Sequence, residues 1–352
     1  MTQRPFRLGT KEIGGPGDHC YVIAEAGVNH DGNLEDALRL VDAAATAGAD
    51  AVKFQTFSAE RLVAPTARKA AYQMQATDPA ESQLAMLRRL ELDRAAHRQL
   101  QERAALHGIA FLSSPFDEES ADLLEDLAVP AFKVASGEIT NLPFLRHMAR
   151  KGRPLLLSTG MSTLAEVAEA VEAIRLSGDP PLALFHCVSS YPAEAADANL
   201  RAMQTLRETF RVPVGFSDHT NGMCVSIAAA ACGASLLEKH VTLDRRRVGP
   251  DHAASLEPAE FTSMVADVRV AGTALGSGVK EPRPAELDVR EVARKSVTTR
   301  RDLVAGAAIA RADLAVLRPG TGIRPADIDR LVGRRPKKFI AAGTTLSWEL
   351  FE

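Results

Sequence analysis

From residue 20 to residue 240 the chain alternates short apolar runs with longer amphipathic stretches. The runs are CYVIAEA (20–26), AVKFQ (51–55), IAFLS (109–113), AFKVAS (131–136), PLLLST (154–159), PLALFHC (181–187), VPVGFS (212–217) and SLLEKH (235–240). They are nearly continuous in apolar residues, as parallel strands buried on both faces must be. The stretches between them read as helices. Residues 33–47 open at a capping Asn33 and stop before Gly48; residues 162–176 open at Ser162, with Glu166 near capping-box spacing, and stop before Gly178. Eight strand–helix units over about 250 residues predict a closed (β/α)8 barrel of the TIM type.

Two parts break the repeat. Residues 56–92 form a long insertion after the second strand, and insertions at that end of a barrel cover the active site. Residues 276–290 (GSGVKEPRPAELDVR) are rich in Gly, Pro and charge and read as a linker. Beyond them come short strand-and-turn patterns: SVTT (296–299), GAAI (306–309) and GTTL (343–346). The expected organisation is a barrel over 1–275, a linker over 276–290 and a small domain over 291–352, whose core is marginal on its own.

Composition narrows the function. With 42 Lys and Arg against 45 Asp and Glu, the net charge is only −3, which gives no general affinity for nucleic acid or an acidic membrane. The short basic clusters at Arg245–Arg247, Arg334–Arg335 and Lys337–Lys338 read as solvated surface. Cys20, Cys187, Cys224 and Cys232 match no zinc or redox spacing, so reduced thiols are expected. No signal-peptide core and no bilayer-length apolar stretch is present. The expectation is a cytoplasmic protein.

The strand ends carry an unusual load of polar residues. They are Glu25; Lys53 and Gln55; Ser113 and Ser114; Lys133, Ser136 and Glu138; Ser158 and Thr159; His186, Ser189 and Tyr191; Ser217, Asp218 and His219; and Glu238, Lys239 and His240. Burial of so many charges and hydroxyls is costly unless they face a ligand or one another. Lys53, Lys133 and the serines suit a phosphate or a phosphate-plus-carboxylate anion. Either lysine could instead form a Schiff base with a carbonyl. His219 and His240 close consecutive strands, so both lie at one mouth and can share a divalent ion, Mn²⁺ or Mg²⁺ first, with Co²⁺ and Zn²⁺ open. Glu25 is placed for proton work or for pairing with a lysine.

These residues together resemble the N-acetylneuraminate (sialic acid) synthase family, which includes the legionaminate synthases. The resemblance rests on IAEAGVNH (23–30), VKFQT (52–56), KVASGE (133–138), LSTGM (157–161), His186-Cys187 with Tyr191-Pro192, GFSDHT (215–220), EKH (238–240), GPD (249–251) and Arg318-Pro319-Gly320. It covers nearly the whole chain and implies that 291–352 is an antifreeze-like (SAF, β-clip) domain. It also implies condensation of phosphoenolpyruvate with an N-acylated mannosamine-type aldehyde sugar, giving a nonulosonic acid and phosphate by C–O cleavage. Residue by residue, His219 and His240 match metal ligands, usually for Mn²⁺. Lys53, Ser114, Lys133, Ser136, Ser158, Ser189 and Ser217 match the phosphoenolpyruvate ring, with Ser189 standing where some members have Asn. Glu25 matches an acidic residue near the metal; Gln55, Tyr191 and Asp251 match sugar contacts. Arg318 matches an arginine that reaches the partner's site in a domain-swapped homodimer. Tyr72, Gln73, Glu81 and Gln83, in the insertion, are lid candidates. The other readings are a metal-free aldolase or lyase, a catalytically silent carbohydrate-binding protein and a pseudaminate synthase.

Overall fold

The computed structural model describes residues 4–15 and 19–352. The chain divides into two compact units, Met1–Ser277 and Gly278–Glu352. Among the described residues no helix is long and apolar enough to cross a membrane, and none of the four cysteines forms a disulfide.

The first unit opens with a hairpin absent from the sequence reading, β1 (Phe6–Leu8) paired antiparallel with β2 (Lys11–Ile13). The eight predicted strands follow: β3 (Tyr21–Gly27), β4 (Ala51–Thr56), β5 (Ala110–Pro115), β6 (Phe132–Val134), β7 (Leu155–Ser158), β8 (Leu182–Cys187), β9 (Val214–Asp218) and β10 (Leu236–His240). They close into a parallel barrel in chain order, with β10 paired to β3. Eight of the helices are α1 (Leu34–Thr46), three in the insertion, α2 (Ala59–Leu62), α3 (Ala71–Ala76) and α4 (Gln83–Arg89), then α5 (Arg94–Leu106), α6 (Glu118–Asp126), α7 (Leu142–Arg150) and α8 (Leu164–Leu176). The barrel ends with α9 (Ala202–Phe210), α10 (Cys224–Ala231) and α11 (Pro258–Leu275). Asn33 caps α1 as expected, accepting from Glu35 N and Asp36 N. The cap of α8 is Thr163 rather than Ser162: its hydroxyl accepts from Glu166 N while Glu166 reaches back, so the box begins one residue later than predicted.

Alternate residues of a strand face opposite sides, and this decides what fills the barrel. The inward residues of the lower half form one apolar layer: Ile23, Ala51, Leu112, Ala131, Leu156, Ala183, Phe185 and Leu236. Phe6, Leu8 and Ile13 of the hairpin pack into the same cluster. Gly215 belongs here because a Cβ on it would come within 2.7 Å of the Leu236 carbonyl and 3.0 Å of the Phe185 ring. Outward residues such as Val22, Val52, Phe54, Leu157 and Leu237 pack under the helices in a separate cluster. Two residues further along each strand, the inward row changes character and becomes the site.

The second unit contains α12 (Leu287–Ala293), which lies partly within the predicted linker 276–290 and makes its last residues helical rather than extended. Its sheet is β11 (Ser296–Thr299) paired antiparallel with β12 (Leu314–Leu317). Around this pair Val297, Leu303, Ile309, Leu314, Ile323, Leu331, Ile340, Leu346 and Phe351 form a separate core. Many short segments tied by isolated bridges, such as Leu303 with Ile340, suit the strand-and-turn pattern of the sequence.

Candidate active site

The step from apolar to polar along the inward face follows from the period of two. Ile23 is followed by Glu25, Ala51 by Lys53 and Gln55, Leu112 by Ser114, Ala131 by Lys133, Leu156 by Ser158, and Leu236 by Glu238 and His240. Strand register sets these side chains level with one another: Glu25 is opposite Lys53 and His240, Gln55 is opposite Ser114, and Ser217 is opposite Glu238. Together they line a cavity of about 450 Å³ at the C-terminal mouth of the barrel. Ser136, Ser189, Tyr191, His219 and Asp251 reach it from the loops after the strands.

Two lysines and two glutamates form its charged base, all buried. Lys53 Nζ lies 3.0 Å from Glu25 Oε2 and 3.6 Å from Glu238 Oε2, and donates to Ser114 Oγ at 3.0 Å. Lys133 Nζ lies 3.3 Å from Glu238 Oε1 and donates to Ser158 Oγ at 2.7 Å. Ser217 Oγ donates to Glu238 Oε1 at 2.8 Å. Burial works to raise Glu238, but Lys133 and Lys53 hold it down to about 2, so it is a carboxylate. Burial dominates at Glu25 and pushes it up to about 7 in spite of Lys53, which places its proton exchange near neutral pH. Burial would lower Lys53, but Glu238 and Glu25 raise it; for Lys133 burial prevails and lowers it. Glu238 was not among the expected site residues. Its signal was its place two residues before His240, which puts both on one face of the strand.

The two imidazoles are neutral and adjacent, with ring centroids 5.6 Å apart. Burial lowers His219 to about 4; burial and then His219 itself lower His240 well below the usual range. His219 Nδ1 donates to the Val188 carbonyl at 2.7 Å, which leaves Nε2 as a lone pair. Ser217 Oγ is 3.3 Å from that nitrogen, but its proton is already committed to Glu238. His240 Nδ1 is buried with no hydrogen-bond partner and lies 3.9 Å from Asp251 Oδ2. Among the described residues no group of three or more His, Cys, Asp or Glu side chains is arranged to hold a metal. Two neutral nitrogens, one of them orphaned in a polar cavity, nevertheless fit a divalent ion whose remaining positions are taken by water or substrate oxygen.

The facing wall comes from the insertion. Leu62, Val63, Met86, Leu87 and Leu90 give it an apolar surface, and Tyr72, Gln73 and Gln83 give it a phenol and two amides. Tyr72 stacks near Tyr191, centroids 5.2 Å apart, and Tyr191 lies 4.2 Å from the His219 ring. Of the lid candidates only Glu81 is absent from the lining; it is paired with Lys69 and Arg89. Burial raises Asp251 to about 6. Thirteen of the fourteen expected site residues thus share one cavity. The fourteenth, Arg318, is exposed in the second unit directly after β12.

Known proteins resemble the chain in sequence and in fold. Residues 40–280 match the NeuB family and residues 294–352 match the SAF domain. The chain is 50% identical over 337 residues to the N,N'-diacetyllegionaminic acid synthase of Legionella pneumophila subsp. pneumophila, spanning 95% of both chains. It is 35% identical to the Homo sapiens N-acetylneuraminate-9-phosphate synthase, over 96% of this chain and 94% of that one. The crystal structure of N-acetylneuraminic acid (sialic acid) synthetase from Leptospira borgpetersenii superposes with a TM-score of 0.73 at 35% identity, covering 82% of this chain and 95% of that one. A barrel closed in this order, a polar strand-end cavity and these relatives lead to one assignment: the chain belongs to the NeuB family and is a synthase-type enzyme carrying a C-terminal SAF domain.

Proposed function

We propose that the enzyme condenses phosphoenolpyruvate with an N-acylated mannosamine-type aldehyde sugar, forming a nonulosonic acid and releasing phosphate by C–O cleavage. The observation that carries this reading is the base of the cavity, where two buried lysines, a set of hydroxyls and two carboxylates face two neutral imidazoles. Lys53 and Lys133, with Ser114, Ser136, Ser158, Ser189 and Ser217, bind the phosphate and carboxylate of phosphoenolpyruvate. Before it arrives, Glu25 and Glu238 keep both ammonium groups charged and in place. C3 of the enol attacks the aldehyde carbon, cationic character develops at C2, and water adds there. Glu25, with its proton exchange near pH 7, takes the proton from that water and passes it to the aldehyde oxygen, which becomes a hydroxyl, and Glu238 steadies the cationic carbon. The tetrahedral intermediate then expels phosphate, whose charge the lysines neutralise throughout. His219 and His240 would hold a divalent ion, Mn²⁺ first, which when bound supplies Lewis-acid polarisation of a carbonyl oxygen.

Gln55, Tyr191 and Asp251 hold the acceptor sugar against the apolar wall of the insertion. No Lys or Arg from that wall lines the cavity, so a neutral sugar is the match. Between N-acetylmannosamine and its 2,4-diacetamido-6-deoxy analogue, the wall favours the second, whose C6 is a methyl group. The relative at 50% identity, named for N,N'-diacetyllegionaminic acid, supports the same choice. Arg318 serves the cavity of a second copy in a domain-swapped dimer, and the enzyme works in the cytoplasm, where phosphoenolpyruvate is made. Phosphate release from phosphoenolpyruvate, assayed with each sugar before and after chelation and Mn²⁺ return, tests the reaction. Release with neither sugar, or borohydride trapping of a lysine adduct with a keto acid, sinks it. Activity regained on mixing Arg318→Ala and Lys133→Ala chains tests the exchanged arginine.

A further inference from the structure

The turn between β3 and α1 touches three things at once, and of its residues only Val28 lines the cavity. Asn29 is fully buried; its Nδ2 donates to the Val241 carbonyl and to Ser255 Oγ, both at 2.9 Å. Ser255 Oγ in turn donates to the Asp251 carbonyl at 2.7 Å. Two residues on, the Asp31 carboxylate accepts from His252 Nε2 at 3.1 and 3.2 Å, and His252 Nδ1 is bonded to Thr242 Oγ1 at 2.7 Å. His252 directly follows Asp251, so the segment 241–256 is tied to this turn on both sides of the residue that faces the sugar.

The same turn carries the insertion. Gly32 has φ +79°, and a Cβ there would run into the carbonyl of Arg89, the last residue of α4. Val28 shares a small apolar cluster with Phe57, Met86 and Leu90. The phosphoenolpyruvate side needs no such help. Lys53, Ser114, Lys133 and Ser158 are set by strand register, and their hydrogen bonds run between strands.

We infer that Asn29, Asp31, Gly32 and His252 are positioning residues for the acceptor side alone. They hold the Asp251 segment and the α4 wall at a fixed distance from the charged base. The inference rests on the assignment of Asp251 and that wall to the sugar. One imidazole N–H shared between both oxygens of a carboxylate, and a glycine that admits a carbonyl where no side chain fits, set that distance more tightly than apolar contact could.

Asp31→Ala is the first variant, because its side chain is only partly buried and its removal leaves the core intact. With Mn²⁺ present, the acceptor KM should rise about tenfold, while the phosphoenolpyruvate KM stays within about twofold. His252→Gln, which keeps a donor toward Asp31, should rise less than His252→Ala. Equal rises in both KM values, or no rise in either, overturn the inference. Hydrogen exchange read on the same proteins needs no turnover. Faster exchange in Asp31→Ala confined to 71–90 and 241–256 supports the role, and unchanged exchange there refutes it. If the wild-type chain releases no phosphate with either sugar, the proposed reaction fails, while the exchange result still decides what the turn does.

Discussion

The base of the cavity and the wall opposite it are built in different ways. The base consists of side chains spaced by two on parallel strands, and a closed sheet of backbone hydrogen bonds fixes each one. The wall consists of α2, α3 and α4, none longer than seven residues, and helices that short do not persist without packing. They are held by Lys69, whose Nζ donates to Thr77 Oγ1 and the Asp78 carbonyl, by the Arg89–Glu81 pair and by the Val28–Phe57–Met86–Leu90 cluster. Chemistry common to many acceptors needs the fixed part. Choice among acceptors can be left to the part whose sequence and position can change without disturbing the barrel.

The largest effect expected of a single change to the base comes from behind it. Lys239 and Asp218 point outward from β10 and β9 and are fully buried, 3.1 Å apart; Lys239 Nζ also donates to the Thr220 carbonyl. Asp218 accepts further from Thr220 and Ser226. Lys239→Met leaves that carboxylate unpaired and should destabilise the unit by about 3–5 kcal/mol, measured by urea unfolding. Lys239→Met with Asp218→Asn should recover most of the loss. If the double variant is as unstable as the single one, the pair is not what holds these strand ends.

Next comes the base itself. Lys133→Ala should lower kcat/KM for phosphoenolpyruvate by about 10²–10³-fold, the scale of one lost charged donor, and shift the acceptor KM far less. Met86→Ala should do the reverse. A buried Met removed from packing costs about 2–5 kcal/mol, but this cluster is small and local, so the loss should appear as faster proteolysis within 59–90 and a raised acceptor KM. The global unfolding midpoint should move little. A Met86→Ala protein that loses phosphoenolpyruvate affinity as much as Lys133→Ala does would erase the division between the two parts.

The same division explains what could be read from sequence. Glu25, Lys53, Lys133, His219 and His240 were legible because a buried parallel strand is a nearly unbroken apolar run, and a charge inside one is conspicuous. Glu238 stands among the polar strand-end residues and the period of two places it with His240, but the resemblance assigns it no role. The wall was named only as an insertion with candidate polar residues. Its apolar side, Met86, Leu87 and Leu90, has no signature because helical spacing in so short a segment cannot say which face meets a cavity. Of the turn at Asn29–Gly32 only Asn29 and His30 belong to a motif, which ends there, and the job of the turn depends on partners more than 200 residues away. The β1–β2 hairpin was missed because three-residue strands carry too little pattern.

The smallest effect expected lies where wall and barrel join. Thr56 ends β4 and begins the insertion, and His97 stands in α5, just after it. His97 Nδ1 donates to the Asp93 carbonyl at 2.8 Å, and Nε2 accepts from Thr56 Oγ1 at 2.7 Å, with Ser113 Oγ 2.7 Å beyond. Burial lowers the His97 pKa below 6.5, so between that value and the folded one the unfolded chain binds the extra proton. Stability from this group is therefore complete above about pH 6.5 and falls as pH drops toward the folded pKa, at up to about 1.4 kcal/mol per pH unit. His97→Gln cannot titrate and should flatten that share of the decline in urea unfolding between pH 7 and pH 5; His30 and His186, also lowered by burial, keep theirs. Because the bond ties the two ends of the insertion, the wild-type acceptor KM should rise more steeply over the same window than that of His97→Gln, whose remaining rise comes from Asp251 and Glu25. A parallel rise in both proteins would mean that the junction does not set the wall.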